Sequence, residues 1–445
     1  MSSQSLTEAY LDGLADEADR ASGLLATAHE STVASSFRAR SLSRPALLGR
    51  DEHEQLFADL QCLHGAITSL PDRLFGGDLS ALARAVGMSP AQAAASTRAR
   101  GAVPSRLCRA DLYVDATGFK VMEVNFITNM GGLDNAPLNR AMLDHPYVKQ
   151  FVTKHDLTYT DTLAELVDTM RSECRIAAGT RPVMAAVDWP GPSFDADLPQ
   201  LRKSLAVIEE LGVEAAPCHL GQLRYADGRV WLGDRPIDFV YRMFLLDHLL
   251  DEQAPDLLEP LLQAVERDEV KLFVPVEAEV YQSKGTLALL SDDANRHVLT
   301  DAERDTVDRL VPWTRALRPG STTVDGQTVD LERYVLEQRE ELILKPMLLF
   351  GGEGIVPGWQ VEPSEWRDHI TAAMGGPYLV QRRIHPVPEL FPTDDGAEPW
   401  ILTWGAFLMR RGAGGIYLRG GRAGEAAVVN HATGATGTCC FFERY

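Results

Sequence analysis

The chain contains no run of about 18 consecutive apolar residues, which removes a membrane-spanning helix as its organising feature. It has no Lys/Arg-rich patch either. Its 43 basic residues are outnumbered by 63 acidic ones, giving a net charge of −20 that repels phosphate backbones and anionic lipid. Nucleic acid and membranes are therefore not expected as partners. The six cysteines (Cys62, Cys108, Cys174, Cys218, Cys439 and Cys440) show no paired CxxC spacing, so neither a disulfide framework nor a zinc site is expected, and a reducing cytoplasm fits. The opening stretch MSSQSLTEAYLDGLADEADR is polar and acidic and lacks the apolar core of an export signal. No internal repeat or low-complexity tract occurs.

What is present is an ordinary globular composition, with 45% hydrophobic, 24% charged and 7% aromatic residues. At 445 residues the chain exceeds the size at which single cores stop growing, about 250–300 residues, so two or three modules are expected. Helical spacing runs from Leu6 to about Gly101, with Leu11, Leu14, Ala18, Leu24 and Leu25 in one part and Leu79, Leu82 and Val86 in another. From Leu107 to Phe126 the pattern alternates, and LCRADLYVDATGFKVMEVNF reads as a hairpin turning at Asp115–Gly118. Between Arg181 and Phe244 the order is strand, helix, strand, hairpin, strand, with the helix stopping at Gly212; this series favours a small parallel α/β module. Helical patterning resumes over Leu245–Asp268, LFVPVEA reads as a buried strand, and Tyr281–Thr300 is again helical. The last third carries strands around ELILKPML, YLVQRRI, ILTWGAFLMR and GGIYLRGG.

Four polar residues stand out on the two arms of the hairpin. Because strand side chains alternate, Arg109 and Asp111 share one face, as do Glu123 and Asn125, and simple pairing makes all four converge. Two carboxylates and an amide oxygen are hard ligands suited to Mg2+, and the arginine beside them could neutralise an anionic transition state. A polar, wet hairpin face is the alternative. The following loop offers Thr128, Asn129, Gly131 and Gly132 as donors around a substrate, or as a plain turn. Lys345 ends an apolar strand and precedes Gly351, Gly352, Glu353 and Gly354, an arrangement able to hold nucleotide phosphates or equally a solvated strand end. Because the lysine precedes the glycines, this is not a GxxxxGK[ST] loop. Lys284 opens a helix, where the helix dipole disfavours it unless an anion is near. Gln381 and Arg419 follow or end apolar strands. Arg242 could grip a carboxylate or belong to a structural ion pair.

Taken in order, RAD (Arg109–Asp111), MEVNFITN (Met122–Asn129), QSKGTLALL, ILKPMLLFGGEG, YLVQRRIHP and GIYLRGG resemble the successive motifs of the ATP-grasp carboxylate–amine ligases. The likeness is to the circularly permuted branch typified by glutathionylspermidine synthetase, in its synthetase part. Motif order and the R-x-D…E-x-N spacing carry it. The loop between Lys345 and its glycines is longer than the family's, and neither Cys62 nor Cys108 has the CGSCW context of an amidase.

The resemblance implies an α+β and α/β chain with an ATP-grasp, glutathione synthetase-like fold, a helical N-terminal region and a small inserted parallel module. Its divisions would be a helical region over 1–104, a first core part with the metal hairpin over 105–180, the substrate module over 181–245 and the nucleotide part over 246–445. It implies Asp111, Glu123 and Asn125 as Mg2+ ligands and Arg109 and Arg419 as transition-state arginines. Lys284 and Lys345 would contact ATP phosphates and Gln381 the adenine side, while Gly351, Gly352 and Gly354 are assigned to ATP, and Thr128, Asn129 and Arg242 to the substrate, from the residues themselves. The implied reaction joins a carboxylate (amino acid or short peptide) to an amine through an acyl phosphate, with ADP and phosphate released. Alternatives are a small-molecule kinase on the same fold and a non-catalytic nucleotide-binding protein. Small molecules are the expected partners, and a homodimer is an open option.

Overall fold

The computed structural model describes residues 1–14, 41–101, 103–133, 135–250, 254–393, 396–424 and 435–444. Cys108–Asp115 and Gly118–Asn125 form the expected hairpin. Asp115 Oδ1 accepts from the Thr117 backbone N–H at 2.7 Å, and Gly118 takes a φ of +116°, a value glycine supplies without a steric penalty.

This hairpin does not stand alone. It is one edge of an eight-stranded sheet whose order continues through Gly396–Met409, Gly412–Arg422, Thr436–Glu443 and Ala46–Leu48. Residues from opposite ends of the chain thus lie side by side. On one face of this sheet Ala110, Val124, Ala406 and Leu408 meet Leu60, Leu63 and His64 of the helix Arg50–Thr68, and the helix buries its apolar stripe there. The opposite face carries Arg109, Asp111, Glu123, Asn125 and Arg419 among apolar neighbours such as Phe407.

A second sheet is parallel throughout, in the order Lys271–Phe273, Phe239–Arg242, Val183–Asp188, Glu214–His219. The helix Pro192–Glu210 crosses between its first two strands in sequence and ends just before Gly212 at φ +84°. A third, antiparallel sheet joins Thr314–Ala316, Tyr378–Arg382, Leu342–Pro346 and Val356–Pro357. It has its own core of Leu342, Leu344, Val380, Trp366 and Ile370. The first two sheets meet at Thr128, whose hydroxyl donates to the Arg242 carbonyl and whose carbonyl accepts from Tyr241 Oη at 3.1 Å.

Two elements differ from the sequence reading. Ala46–Leu48, inside the region read as helical, is a fully buried strand parallel to Cys440–Phe442. Its partner strand, Thr436–Glu443, was not expected either. Both are set by pairing across nearly the whole chain, which local periodicity does not report. Ala18, Leu24 and Leu25 lie outside the described residues. All six cysteines are free, and among the described residues no helix is long and apolar enough to cross a membrane.

Candidate functional site

The hairpin register sets Arg109 opposite Asn125 and Asp111 opposite Glu123. These two direct pairs put all four groups on one face, and the register shifts by one residue only beyond them, leaving Met122 as the extra residue of a bulge. Arg109 donates to Asp111 through Nε at 2.6 Å and Nη2 at 2.9 Å, and through Nη1 to the Gly131 carbonyl at 2.8 Å. Arg419, two strands away, donates from Nη2 to the same carboxylate at 2.7 Å. Asp111 is 3% exposed, and burial alone would raise its pKa, but the two guanidiniums override this and hold it below the usual carboxylate range. The same pairing raises the Arg419 pKa against its own burial.

Glu123 faces cations from the other side of the cavity. Lys284 Nζ lies 2.9 Å from Glu123 Oε2 and donates to the Leu349 carbonyl at 2.8 Å. Burial raises the Glu123 pKa and Lys284 more than reverses it. Lys345 is 5% exposed; its Nζ donates to Gln381 Oε1 at 2.7 Å. Burial lowers its pKa to about 8, with Glu123 opposing that shift. The disfavoured lysine at a helix start and the lysine before the glycines are therefore brought to the hairpin carboxylates.

These groups line a cavity of about 610 Å³, in the range of small-molecule sites. Arg109, Asp111, Glu123, Asn125, Asn129, Lys345, Gly351, Gly352, Gln381 and Arg419 all face it. Gly351, Gly352 and Gly354 take left-handed φ values of +62°, +87° and +68°, so the loop after Lys345 turns as other residues resist turning. Gly354 does not line the cavity, and Lys284 reaches it through Glu123.

Two expected substrate residues are placed elsewhere. Neither Thr128 nor Arg242 lines the cavity. Arg242 is 2% exposed and donates to the Val274 and Phe244 carbonyls, both at 2.8 Å, and to Glu279. This is the structural ion pair that the sequence left as its alternative. Thr128 is spent on the junction between sheets. Gln381, expected to serve ATP, lines the cavity, where its oxygen accepts from Lys345 and its nitrogen donates to Thr314 Oγ1 at 3.1 Å. The sequence reading did not single out Tyr113, Thr403, Trp359 or Arg383, which also line the cavity. Tyr113 follows Asp111 by two residues, and that alternation was the available signal; Thr403 faces Arg419 only through strand pairing. Arg383 stacks over Trp359 at 4.1 Å, a contact between segments distant in sequence.

The donor set can be tested for a divalent cation on its own chemistry. Asn125 Nδ2 and Arg419 Nε are buried and have no hydrogen-bond partner among the described residues. Such groups are costly unless something absent from the protein completes them. An amide can present either its nitrogen or its oxygen by a flip, so Asn125 beside Glu123 fits a Mg2+ shell completed by phosphate oxygens and water, which Asp111 could join only by sharing oxygens that already accept from Arg109 and Arg419. Among the described residues no group of three or more His, Cys, Asp or Glu could hold a metal ion.

No family model matches the chain, and no curated protein matches it. Among solved structures, it resembles a glutathione synthetase-like effector from Globodera pallida, determined in the apo form, with a TM-score of 0.58 and 10% identity over 96% of this chain and 98% of that one. A gamma-glutamylcysteine synthetase-like protein from Methylobacillus flagellatus follows at a TM-score of 0.44 and 10% identity, over 85% and 86% of the two chains. A D-alanyl-alanine synthetase A from Vibrio cholerae follows at a TM-score of 0.26 and 11% identity, over 51% and 68%. The first likeness alone carries the fold assignment: this chain has a mixed helix-and-sheet architecture like that of the glutathione synthetase-like effector.

Proposed function

We propose that the protein is an ATP-dependent ligase that joins a small carboxylate to an amine, on a circularly permuted ATP-grasp chain of the glutathionylspermidine synthetase kind. One observation carries this reading: the early acidic hairpin and the late Lys345 line a single cavity, and Lys284, behind its lining, lies 2.9 Å from Glu123. A carboxylate pair, two lysines and two arginines around one cleft are what transfer of a phosphoryl group requires, because positioning and charge compensation supply most of that catalysis.

In this reading Lys284 and Lys345 hold ATP phosphates and the Gly351–Gly354 loop covers them. Asp111, Glu123 and Asn125 would hold Mg2+, which when bound supplies positive charge against the β- and γ-phosphates. A carboxylate oxygen of the donor attacks the γ-phosphorus and ADP leaves; Arg109 and Arg419 face the charge that develops. The amine nitrogen then attacks the carbonyl carbon of the acyl phosphate, phosphate departs and the amine loses a proton. Asn129, beside Arg109's Gly131 contact, is assigned to the substrate end, and Gln381 to holding Lys345. Arg242 and Thr128 act indirectly by fixing the loop that carries Asn129. The donor is taken to be an amino acid or short peptide, the acceptor an amino acid or amine, and the setting the cytoplasm.

The test is an ADP-release screen over pairs of amino acids and polyamines, with mass spectrometry of products. Amine-dependent ADP release and an amide product are expected. ADP release that ignores the amine, with a phosphorylated product, would make the protein a kinase instead. No nucleotide turnover with any pair, and no Mg2+-dependent thermal shift with ATP, would end the ligase reading.

A further inference from the structure

Gly405 sits in the middle of the long strand Gly396–Met409, opposite Asp111 on one side and Tyr417 on the other. A glycine inside a central strand weakens it, and its usual justification is the close approach of something else. Here the approaching group is Arg109. A Cβ at position 405 would stand 3.0 Å from Arg109 Cδ, 3.3 Å from its Nε and 3.1 Å from the Tyr417 carbonyl oxygen. The arginine side chain therefore lies flat across bare backbone.

That flat path has a chemical consequence. Arg109 is 7% exposed and commits Nε and Nη2 to Asp111 and Nη1 to the Gly131 carbonyl, a fork with little tolerance for displacement. The far anchor is seated the same way. At Gly132, with φ +90°, a Cβ would fall 2.3 Å from the Tyr417 ring, so the loop carrying Gly131 rests directly on the residue opposite Gly405.

We infer that Gly405 is a positioning residue: its missing side chain sets the height of Arg109 over the sheet and so aims the guanidinium at the reacting phosphoryl group. This rests on the proposed ligase reading for the role of Arg109, but the placement itself can be measured without turnover.

The experiment compares wild type with Gly405→Ala, Arg109→Ala, the double variant of both, and Gly420→Ala. The last is a crowding control: a Cβ at Gly420 would meet only side chains, with Leu42 Cδ1 nearest at 2.8 Å. Gly405→Ala should lower turnover by about 10-fold or more while leaving the KM for ATP within about twofold, since small misplacements act on the chemical step. Gly420→Ala should keep the wild-type turnover whatever it does to Tm. Independently of activity, the Arg109 Nε resonance, assigned by its loss in Arg109→Ala, should move in Gly405→Ala and stay in Gly420→Ala.

Should Gly405→Ala fold poorly, the double variant decides: removing the Arg109 side chain should abolish most of the Tm loss caused by the methyl group that Gly405→Ala adds. An additive Tm loss, an unmoved resonance or an equal turnover loss in Gly420→Ala would overturn the inference. Absence of amine-dependent ADP release in wild type would instead defeat the ligase reading, while the resonance and the Tm cycle still settle what holds Arg109.

Discussion

At the residue scale the site is a balance of buried charges. Asp111 with Arg109 and Arg419 and Glu123 with Lys284 keep their ionised forms because each has a partner within hydrogen-bond reach. Glu123→Gln removes a charge from both the cation site and the Lys284 pair while preserving shape. Turnover should fall by about 100-fold or more with the far-UV spectrum unchanged, and an ADP assay beside circular dichroism measures both. Lys345 makes a pH prediction with two signs. Its pKa of about 8 leaves it charged below that pH and neutral above, so the KM for ATP should rise between pH 7 and 9. Lys345→Ala should raise the KM at pH 7 and lose that step. Between about 8 and the ordinary 10.5 the unfolded chain binds more protons at this group than the folded one, so stability should gain from Lys345 as pH rises through that range, while ATP binding weakens. That Asp111, Glu123, Asn125 and Arg109 share one face was readable from strand alternation alone. That Gln381 holds Lys345 and Arg242 pairs with Glu279 was not, because nothing local says which distant neighbour a polar group meets.

At the element scale, the Arg242–Glu279 ion pair supports the junction between the parallel sheet and the cavity, beside the Thr128 bonds to Arg242 and Tyr241. Arg242 anchors the turns at Phe244 and Val274, and Glu279 accepts from it and from the Leu246 backbone N–H at 2.9 Å. Burial raises the Glu279 pKa, with Arg242 opposing it, and both side chains are at least 95% buried. Glu279→Ala leaves an uncompensated guanidinium in the interior and should destabilise the protein by about 3–5 kcal/mol, read from urea unfolding. Because Leu245 lies between these anchors and lines the cavity, the KM for the carboxylate or amine should rise more than that for ATP. The parallel module was readable in outline: its strand, helix and Gly212 stop have local signatures. Its attachment was not, since Thr128 reaches Arg242 across more than a hundred residues of chain.

At the scale of the whole molecule, the eight-stranded sheet ties the chain together. Phe441 is fully buried in the strand that carries Ala46–Leu48 on one side and Gly412–Arg422 on the other. Phe441→Ala should cost about 3–5 kcal/mol and shift the entire unfolding transition, with ellipticity and tryptophan fluorescence moving together. Fluorescence losing its structure well before ellipticity would show instead that the sheet does not unfold as a unit. The sequence by itself determined which residues carry charge and chemistry, the alternation that puts Arg109 and Asp111 on one face, and the local starts and stops of most helices and strands. Those features depend on neighbours a few positions apart. Only the tertiary structure decided that Arg419 reaches Asp111 and Lys284 reaches Glu123, that Arg242 is buried away from the cavity, and that Ala46–Leu48 is a strand. These depend on strand pairings between distant segments, whose partners no short window of sequence contains.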